Sequence, residues 1–301
     1  MTVSDVDRAV DFYSKLAFKK VSEVEVMGPE CERLQGVFGA RMRIVQMQLG
    51  REYLNLTQYL APPGRPIPAD SQSNDRWFQH IAIVVRDMDQ AFAEVRAMKV
   101  QFVSTAPQTL PPSIPAAAGI KAFYFRDPDG HNLELIYFPP GKGDPRWQQP
   151  NDKLFLGIDH TAIGIAKTEA SLRFYRDLLG MRKAGESENF GTEQEHLNQV
   201  FGAHLQITGM RAGSGPGVEF LEYLTPRDGR PIPPDIRSND ISHWQTTIVT
   251  NDLAALAKTL RQNQVGFVSS DVTLVPEEKL GFSKGLLVRD PDGHNVLLIE
   301  K

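Results

Sequence analysis

The sequence has almost no cysteine. Cys31 is the single cysteine among 301 residues, which excludes an intrachain disulfide and any metal site built from several cysteines. So little cysteine is typical of proteins from a reducing compartment, and we predict a cytoplasmic protein. The chain also lacks any apolar run near the ~18 residues of a membrane span, and its first ten residues do not resemble a secretory signal peptide.

An excess of charge of one sign is also lacking. Lys and Arg number 33 against 37 Asp and Glu, which gives a net charge of -4. A basic surface for nucleic acid or anionic membrane is therefore not expected. Hydrophobic residues make up 41%, which argues against disorder, and 301 residues are enough for two domains.

The chain contains a copy of itself. GRPIPADSQSND at 64–75 recurs as GRPIPPDIRSND at 229–240, and RDPDGHN at 126–132 recurs unchanged at 289–295. The two offsets are nearly equal, so one duplication covers most of the sequence. We predict two domains, 1–140 and 156–301, joined by a linker over 141–155 that is rich in Pro, Gly and charge.

Each half repeats a smaller plan. A strand with alternating apolar residues, such as HIAIVV at 80–85, precedes an amphipathic helix, and strands such as NLELIY at 132–137 follow. The pattern predicts an α+β fold of four βαβββ modules. Module 1 starts too late for a complete first strand, so either the true start lies upstream or this strand is clipped. The four modules are predicted at 1–60, 78–140, 156–226 and 241–301, with helices starting near Ser4, Asp87, Thr168 and Asp252 as N-cap residues.

Two motifs carry a family resemblance. Four modules containing HIAIVVRDMD at 80–89 and DPDGHNLELI at 127–136 resemble the vicinal oxygen chelate superfamily, which includes glyoxalase I, extradiol dioxygenases and bleomycin resistance proteins. The resemblance implies that the modules pair into curved mixed sheets around one divalent metal (Zn, Ni, Co, Mn or Fe(II)), which suits mixed nitrogen and oxygen ligation. It also implies a small-molecule substrate as the partner of a monomer or homodimer. It also implies ligands on the first strand of a module (His or Gln) and on its last strand (Glu).

These ligand positions can be assigned residue by residue. They are His80 and Glu134 in module 2, His160 and Glu219 in module 3, Gln245 and Leu297 in module 4, and Asn55 on the last strand of module 1. Strand alternation agrees with the assignment, because Glu134 points away from Leu133 and Leu135. A carboxylate buried on that face would be costly without a cation.

The sequence leaves the pairing of modules open. Pairing modules 2 and 3 would collect His80, Glu134, His160 and Glu219, a set of two imidazoles and two carboxylates, and we favour it for that reason. Sequential pairing of 1 with 2 and 3 with 4 is the alternative, because consecutive elements are usually adjacent. In that alternative Gln245 would join His160 and Glu219.

The resemblance allows three functions. The favoured one is a glyoxalase-like lyase or isomerase, in which a metal-stabilised enediolate forms and Glu134 or Glu219 moves the proton. No cluster of Arg or Lys stands out to bind glutathione, so a thiol cofactor is not supported. The alternatives are an extradiol-type dioxygenase with Fe(II) on two His and one carboxylate, and a bleomycin-resistance-like protein that binds a small molecule without catalysis.

Three repeated features are predicted to be structural. His131 and His294 follow Asp-Pro-Asp-Gly turns, and we interpret them as turn residues. The helix pairs Phe12–Tyr13 and Phe174–Tyr175 are interpreted as packing residues. The GRPIP segments are interpreted as loops that cross between modules.

Overall fold

The computed structural model describes residues 1–150, 152–275 and 277–300. Residue 151 of the predicted linker and residues 276 and 301 of module 4 lie outside the described part. The chain has the predicted mixed α+β architecture, and its described residues form three sheets and short helices. None of the described helices is long and apolar enough to cross a membrane.

The four modules follow one element order with local variations. Module 1 contains α1 (Val6–Lys15), β1 (Lys19–Met27), α2 (Pro29–Gln35), β2 (Arg41–Leu49) and β3 (Glu52–Ala61). Module 2 contains β4 (Gln79–Val85), α3 (Met88–Ala97), β5 (Gln101–Phe102), β6 (Gln108–Thr109), β7 (Lys121–Arg126) and β8 (Asn132–Tyr137). Module 3 contains β9 (Phe155–Ile165), α4 (Thr168–Leu172, continued by a π-helical turn at Arg173–Leu178), β10 (Arg182–Phe190), α5 (Thr192–Asn198), β11 (His204–Arg211) and β12 (Gly217–Thr225). Module 4 contains β13 (Gln245–Val249), α6 (Leu253–Gln262), β14 (Gly266–Phe267), β15 (Thr273–Leu274), α7 (Glu277–Leu280), β16 (Lys284–Arg289) and β17 (Asn295–Glu300).

Modules 2 and 3 share one sheet. Its order is β10-β11-β12-β9-β4-β8-β7-β5, with β6 also on β7, and its central contact is the antiparallel pair β4–β9. The sheet therefore continues across the predicted linker, where a 3-10 turn forms at Pro145–Gln148. The division of the chain into domains at 141–155 stays a prediction.

Modules 1 and 4 meet through the first residues of the chain. Thr2 pairs in parallel with Thr57 on β3, and its N–H donates to the carbonyl of His243, just before β13, at 3.1 Å. Residues 1–3 thus lie between β3 and the segment before β13, as β9 lies between β12 and β4 in the other pair of modules. They join the three-stranded sheet β1-β2-β3 to the sheet β13-β17-β16-β14, in which β15 also pairs with β16.

The apolar cores beneath the helices join different pairs of modules from those that the sheets join. One cluster of buried residues contains Tyr13 of module 1 with Phe123 and Leu133 of module 2, and a second contains Tyr175 of module 3 with Leu286 of module 4. Sequential modules therefore bury apolar surface together on the helix side, while modules 2 and 3 share a sheet. Burial of this kind is the main favourable term in folding.

Two helices start where the sequence predicted. The side chains of Asp87 and Asp252 accept from the backbone N–H three residues on, as N-caps do. The other two starts are one residue away from the prediction, because α1 is capped by Asp5 and α4 follows Lys167. Ser4 is instead hydrogen-bonded to Asp129 in the turn of module 2.

The GRPIP segments cross between the two halves, as expected. Arg65 forms a 2.7 Å ion pair with Asp240, and Arg230 forms the equivalent 2.6 Å pair with Asp75. Gly64 is needed at its crossing, because an added Cβ would lie 1.8 Å from the carbonyl oxygen of Asn239. Each GRPIP segment therefore forms an ion pair with the other half of the chain, and the two ion pairs are equivalent.

The repeated histidines do more than shape turns, and the turn interpretation was incomplete. Tyr13 donates to Asp127 at 3.1 Å, Asp127 contacts Nδ1 of His131 at 2.9 Å, and Nε2 of His131 contacts the carbonyl of Ile241 at 2.8 Å. Burial opposes protonation of His131, but the Asp127 carboxylate outweighs it and raises the pKa of the imidazole. This chain of contacts links modules 1, 2 and 4.

The second copy repeats these contacts. Tyr175 donates to Asp290 at 3.1 Å, and Nε2 of His294 contacts the carbonyl of Gly164 at 2.7 Å. The aromatic pairs on α1 and α4 therefore contribute a directional hydrogen bond as well as packing. These bonds fix the modules around the central sheet.

Candidate metal centre

The central strand β4 brings three predicted ligands together. Ala82 on β4 lies opposite Glu134 of β8 on one side and His160 of β9 on the other, and His80 shares its face two residues earlier. One ligand atom from each of His80, Glu134 and His160 lies within 4.8 Å of the others. Oε2 of Glu134 is 3.1 Å from Nε2 of His80 and 3.6 Å from Nε2 of His160.

The fourth predicted ligand lies beside this cluster. Oε1 of Glu219 on β12 is 3.5 Å from Nε2 of His160. Glu222, three residues later, accepts two 2.7 Å hydrogen bonds from Thr168 instead. The four residues that the pairing of modules 2 and 3 predicts therefore occupy one place in the structure.

The chemistry of the cluster fits a divalent cation. Nε2 of His160 and both ring nitrogens of His80 are buried and form no hydrogen bond within the described part of the chain, although carboxylate oxygens lie 3.1–3.6 Å from the two Nε2 atoms. Buried polar atoms are normally paired, so three such imidazole nitrogens beside a carboxylate indicate a missing electrophile. The distances also fit, because two ligands about 2.1 Å from one tetrahedral ion lie about 3.4 Å apart.

Asp159 orients one of the histidines. A bulge in β9, between the pairs Ala82–His160 and Ile83–Ile158, disrupts the alternation of side chains, and the Asp159 carboxylate lies 3.0 Å from Nδ1 of His160. Arg211 and Trp147 each donate to Asp159 at 2.8 Å. Nε2 of His160 is thereby left for the cluster. This arrangement of carboxylate and histidine is common beside protein metal ligands.

Three carboxylates surround His160. Burial lowers the pKa of His160, but Glu219, Asp159 and Glu134 outweigh it and raise that pKa to about 9. Burial raises the pKa of Glu219, Glu134 raises it further, and His160 opposes both. Buried acidic and basic side chains that shift each other's pKa values, as His160 and Glu219 do, are typical of functional sites.

A cavity of about 580 Å³ opens onto the cluster. Glu134, His160 and Glu219 lie in its wall, and the long loop before β7 closes one side through Leu110 and Ala117. The opposite side is formed by β10, β11 and α5 of module 3. The volume is within the range of small-molecule sites.

The equivalent positions of modules 1 and 4 hold no such cluster in the described residues. Asn55 accepts from Gln46 at 3.2 Å, and Gln245 contacts His243 at 3.2 Å in the five-stranded sheet. Leu297 packs in an apolar cluster with Leu34 of module 1 and Phe282. Gln245 therefore lies in a different sheet from His160, which is what the pairing of modules 2 and 3 requires.

A family comparison agrees with this architecture. The Glyoxalase/Bleomycin resistance protein/Dioxygenase superfamily model matches residues 1–135 and 157–298. The chain belongs to this superfamily. The two matched stretches cover both halves and leave out only the segment around the predicted linker and the last residues.

Individual members of the superfamily are similar to this chain. A 2-epi-5-epi-valiolone epimerase from an Actinomyces species is 32% identical over 160 residues, covering 51% of this chain and 84% of the epimerase. Glyoxalase I from Saccharomyces cerevisiae is 29% identical over 245 residues, covering 79% of this chain and 68% of the yeast protein. The crystal structure of glyoxalase I from Zea mays has a TM-score of 0.66 at 16% identity, covering 99% of this chain and 89% of the maize chain, and shows the shared fold.

Sequence reasoning missed two residues at the centre. Asp159 could not be found by alternation, because only the bulge turns it toward His160. Tyr124 on β7 lies with its ring centre 4.8 Å from that of His80, and burial beside Glu134 and Glu219 raises its pKa. In the sequence, Tyr124 is one of several apolar or aromatic residues of a predicted strand, and nothing there distinguishes it from a core residue.

Proposed function

We propose that this superfamily member is a metal-dependent isomerase or lyase that acts on a small substrate with vicinal oxygens. The observation that carries the proposal is the cluster of His80, Glu134 and His160 with unpartnered imidazole nitrogens, open to a cavity beside Glu219. These three residues, with Glu219 as a fourth candidate, would hold the ion. A divalent cation there supplies Lewis-acid polarisation of neighbouring substrate oxygens.

Glu219 is the better candidate for moving a proton. Glu134 lies within 3.6 Å of both histidines, and only 6% of its side chain is exposed. Glu219 contacts His160 alone, and 26% of its side chain is exposed toward the cavity. Because burial raises the pKa of Glu219, its carboxylate is more basic than an ordinary one. Glu219 therefore takes the proton from the carbon that bears the hydroxyl, next to the carbonyl carbon, and returns it to one of these two carbons.

The named relatives support proton transfer as the reaction class. One is named an epimerase and the other glyoxalase I. Epimerisation at a carbon next to a carbonyl group requires that a proton leave and return. On its own, Glu219 can take a proton from one oxygen-bearing carbon and return it to the adjacent one on the same face, which gives isomerisation, whereas epimerisation requires that the proton return to the opposite face of the same carbon.

An exchange experiment tests the proposal. The protein is loaded with Zn, Ni or Co and incubated in D₂O with a panel of α-hydroxyketones, and deuterium incorporation at the carbon that bears the hydroxyl is followed by NMR. We expect exchange in the wild type and a loss of at least about 100-fold in Glu219→Gln, with bound metal retained. Glu222→Gln is the matched control, because its carboxylate faces Thr168, and it should keep the wild-type rate.

A dioxygenase is the second candidate, since His80, His160 and Glu134 are a set of two histidines and one carboxylate. Oxygen consumption with catechols by the Fe(II)-loaded protein, without any deuterium exchange by the other metal forms, would favour it over the isomerase.

A further inference from the structure

The first residues of β9 are paired with a strand on one edge only. Within the described chain, β4 pairs with this segment, whereas β12 begins opposite His160, so residues 155–159 have no strand on their other edge. Backbone groups that are buried at such an edge need another partner, because an unpaired N–H or C=O group is costly. Charged side chains take the place of the missing strand here.

Three side chains bind the backbone of β9 at its bulge. Oε2 of Glu52 accepts from the N–H of Ile158 at 3.2 Å, and Arg146 donates to the carbonyl of Ile158 at 3.4 Å. Arg211 donates to the carbonyl of Asp159, the residue that the bulge inserts, at 2.7 Å. The direction in which Asp159 leaves the strand is therefore fixed on this edge by side chains.

Module 1 supplies the carboxylate of this set, although none of the four candidate metal ligands belongs to it. Glu52 begins β3, only 3% of its side chain is exposed, and its Oε1 accepts from Arg146 at 2.6 Å. An added Cβ on Gly50 would lie 2.5 Å from the carbonyl oxygen of Leu156. One on Gly157 would lie 2.6 Å from Oε2 of Glu52. The hairpin that carries Glu52 is thus packed directly against β9.

A second route leads from Glu52 to Asp159 through the 3-10 turn at Pro145–Gln148. Cζ of Arg146 lies 3.8 Å from the centre of the Trp147 ring, a cation–π contact. Nε1 of Trp147 donates to Oδ1 of Asp159 at 2.8 Å. The ion pair with Glu52 places Arg146, and Arg146 places the indole that holds Asp159.

The hairpin of module 1 does not need a carboxylate for its own fold. Glu52 lies three residues before Asn55, and the residue three before Glu219 in module 3 is Pro216, which cannot make these contacts. The two oxygens of Glu52 contact β9 and the 3-10 turn, and within module 1 one of them accepts from the N–H of Arg51 at 3.3 Å. A buried charge is costly unless it is paired, so its partners indicate what it is for. Those partners lie mainly beside the metal centre.

We propose that Glu52 is a positioning residue that, through Asp159, orients His160 for metal binding. It acts directly on the bulge through the N–H of Ile158, and indirectly through Arg146. The inference rests on the metal centre of the proposed function, and it gives module 1 a part in a site that modules 2 and 3 form.

Glu52→Gln tests this role. The variant keeps the size of the side chain and removes the charge that pairs with Arg146. Co(II) affinity is measured by competition with a chromophoric chelator, and the visible absorption of the bound cobalt reports its ligand geometry. We expect about a tenfold loss of affinity, at the low end of the range for carboxylates that contact a ligating histidine directly, and shifted visible bands.

Asp240→Asn is the matched control. Asp240 is also a buried carboxylate that pairs with an arginine from the other half of the chain, at 2.7 Å, and its side-chain partners Arg65 and Arg237 lie outside β9. This variant should lose stability but keep the Co(II) affinity and spectrum of the wild type. If Glu52→Gln does not fold, Arg146→Gln at the more exposed end of the same ion pair replaces it, with an expected loss of at least about threefold.

A double variant shows whether the effect passes through Asp159. Glu52→Gln combined with Asp159→Asn should bind Co(II) within about twofold of Asp159→Asn alone, because residues that act in one chain of contacts are not additive. Two independent residues would instead multiply their losses.

The outcomes separate this inference from the proposed function. Wild-type Co(II) affinity and spectrum in folded Glu52→Gln, or in folded Arg146→Gln where it is the variant used, would refute the positioning role and leave the metal centre standing. Multiplied losses in the double variant would do the same. A wild type that binds no Co(II) would refute the metal centre, and the role of Glu52 with it.

Discussion

Replacing Asp159 with Asn is expected to weaken metal binding, although Asp159 is not among the proposed ligands. Its carboxylate accepts from Nδ1 of His160 at 3.0 Å and from Arg211 at 2.8 Å through the same oxygen, Oδ2, and from Trp147 through Oδ1. An amide NH₂ in place of Oδ2 would face two donors. If the amide is turned over, its NH₂ group would instead face the N–H of Trp147.

The size of the effect follows from these contacts. Either orientation of Asn loses at least one charge-assisted hydrogen bond and leaves the Arg211 guanidinium without its carboxylate. Loss of a carboxylate that orients a ligating histidine typically costs 10- to 100-fold in metal affinity. This corresponds to about 1.4–2.7 kcal/mol, and the lower end applies if Arg211 shifts to solvent.

Competition titration of Zn or Co(II) against a chromophoric chelator measures the change. Glu222→Gln removes a carboxylate of the same module from the opposite face of the sheet, and it should leave the metal affinity within twofold of the wild type. An Asp159→Asn variant that keeps a folded spectrum and wild-type affinity would show that the bulge does not orient His160.

Two further predictions concern stability. Because Asp127 raises the pKa of buried His131, the stabilising contribution of His131 is complete below about pH 6.5 and is lost as the pH rises through the raised value. Urea unfolding between pH 5.5 and 9 should therefore show this loss in the wild type but not in His131→Gln. A free energy of unfolding that changes equally with pH in both proteins would contradict the prediction. Gly64→Ala should lower the free energy of unfolding by about 1–3 kcal/mol, since its Cβ would collide with the carbonyl of Asn239, whereas Gly213→Ala in open space should change it by less than about 0.5 kcal/mol in the same urea titration.

Much of the fold was accessible from the sequence because the modules repeat. The repeat and the strand alternation were enough to predict the α+β class, and the family resemblance then placed His80, Glu134, His160 and Glu219 on matching strands. Their assembly in one place follows from the β4–β9 pair, which sequence rules on adjacency did not favour. The completeness of the ligand set was the better guide to which modules pair, because an incomplete set would leave buried polar groups unsatisfied.

The parts that could not be predicted depend on local irregularity or distant contacts. Asp159 reaches His160 only because β9 is bulged, and no periodic pattern encodes that. His131 contacts a carbonyl 110 residues away, so its role as a link between modules is invisible in its turn motif.

Metal stoichiometry tests the central claim most directly. Metal-free protein, titrated with Zn or Co(II) by calorimetry and checked by elemental analysis, should bind one equivalent per chain. His160→Ala and Glu134→Ala should each abolish that binding, while Gln245→Ala, at the position in module 4 that matches His80, should leave it intact. Two equivalents per chain, no binding by the wild type, or loss in Gln245→Ala with retention in Glu134→Ala would contradict the centre described between modules 2 and 3.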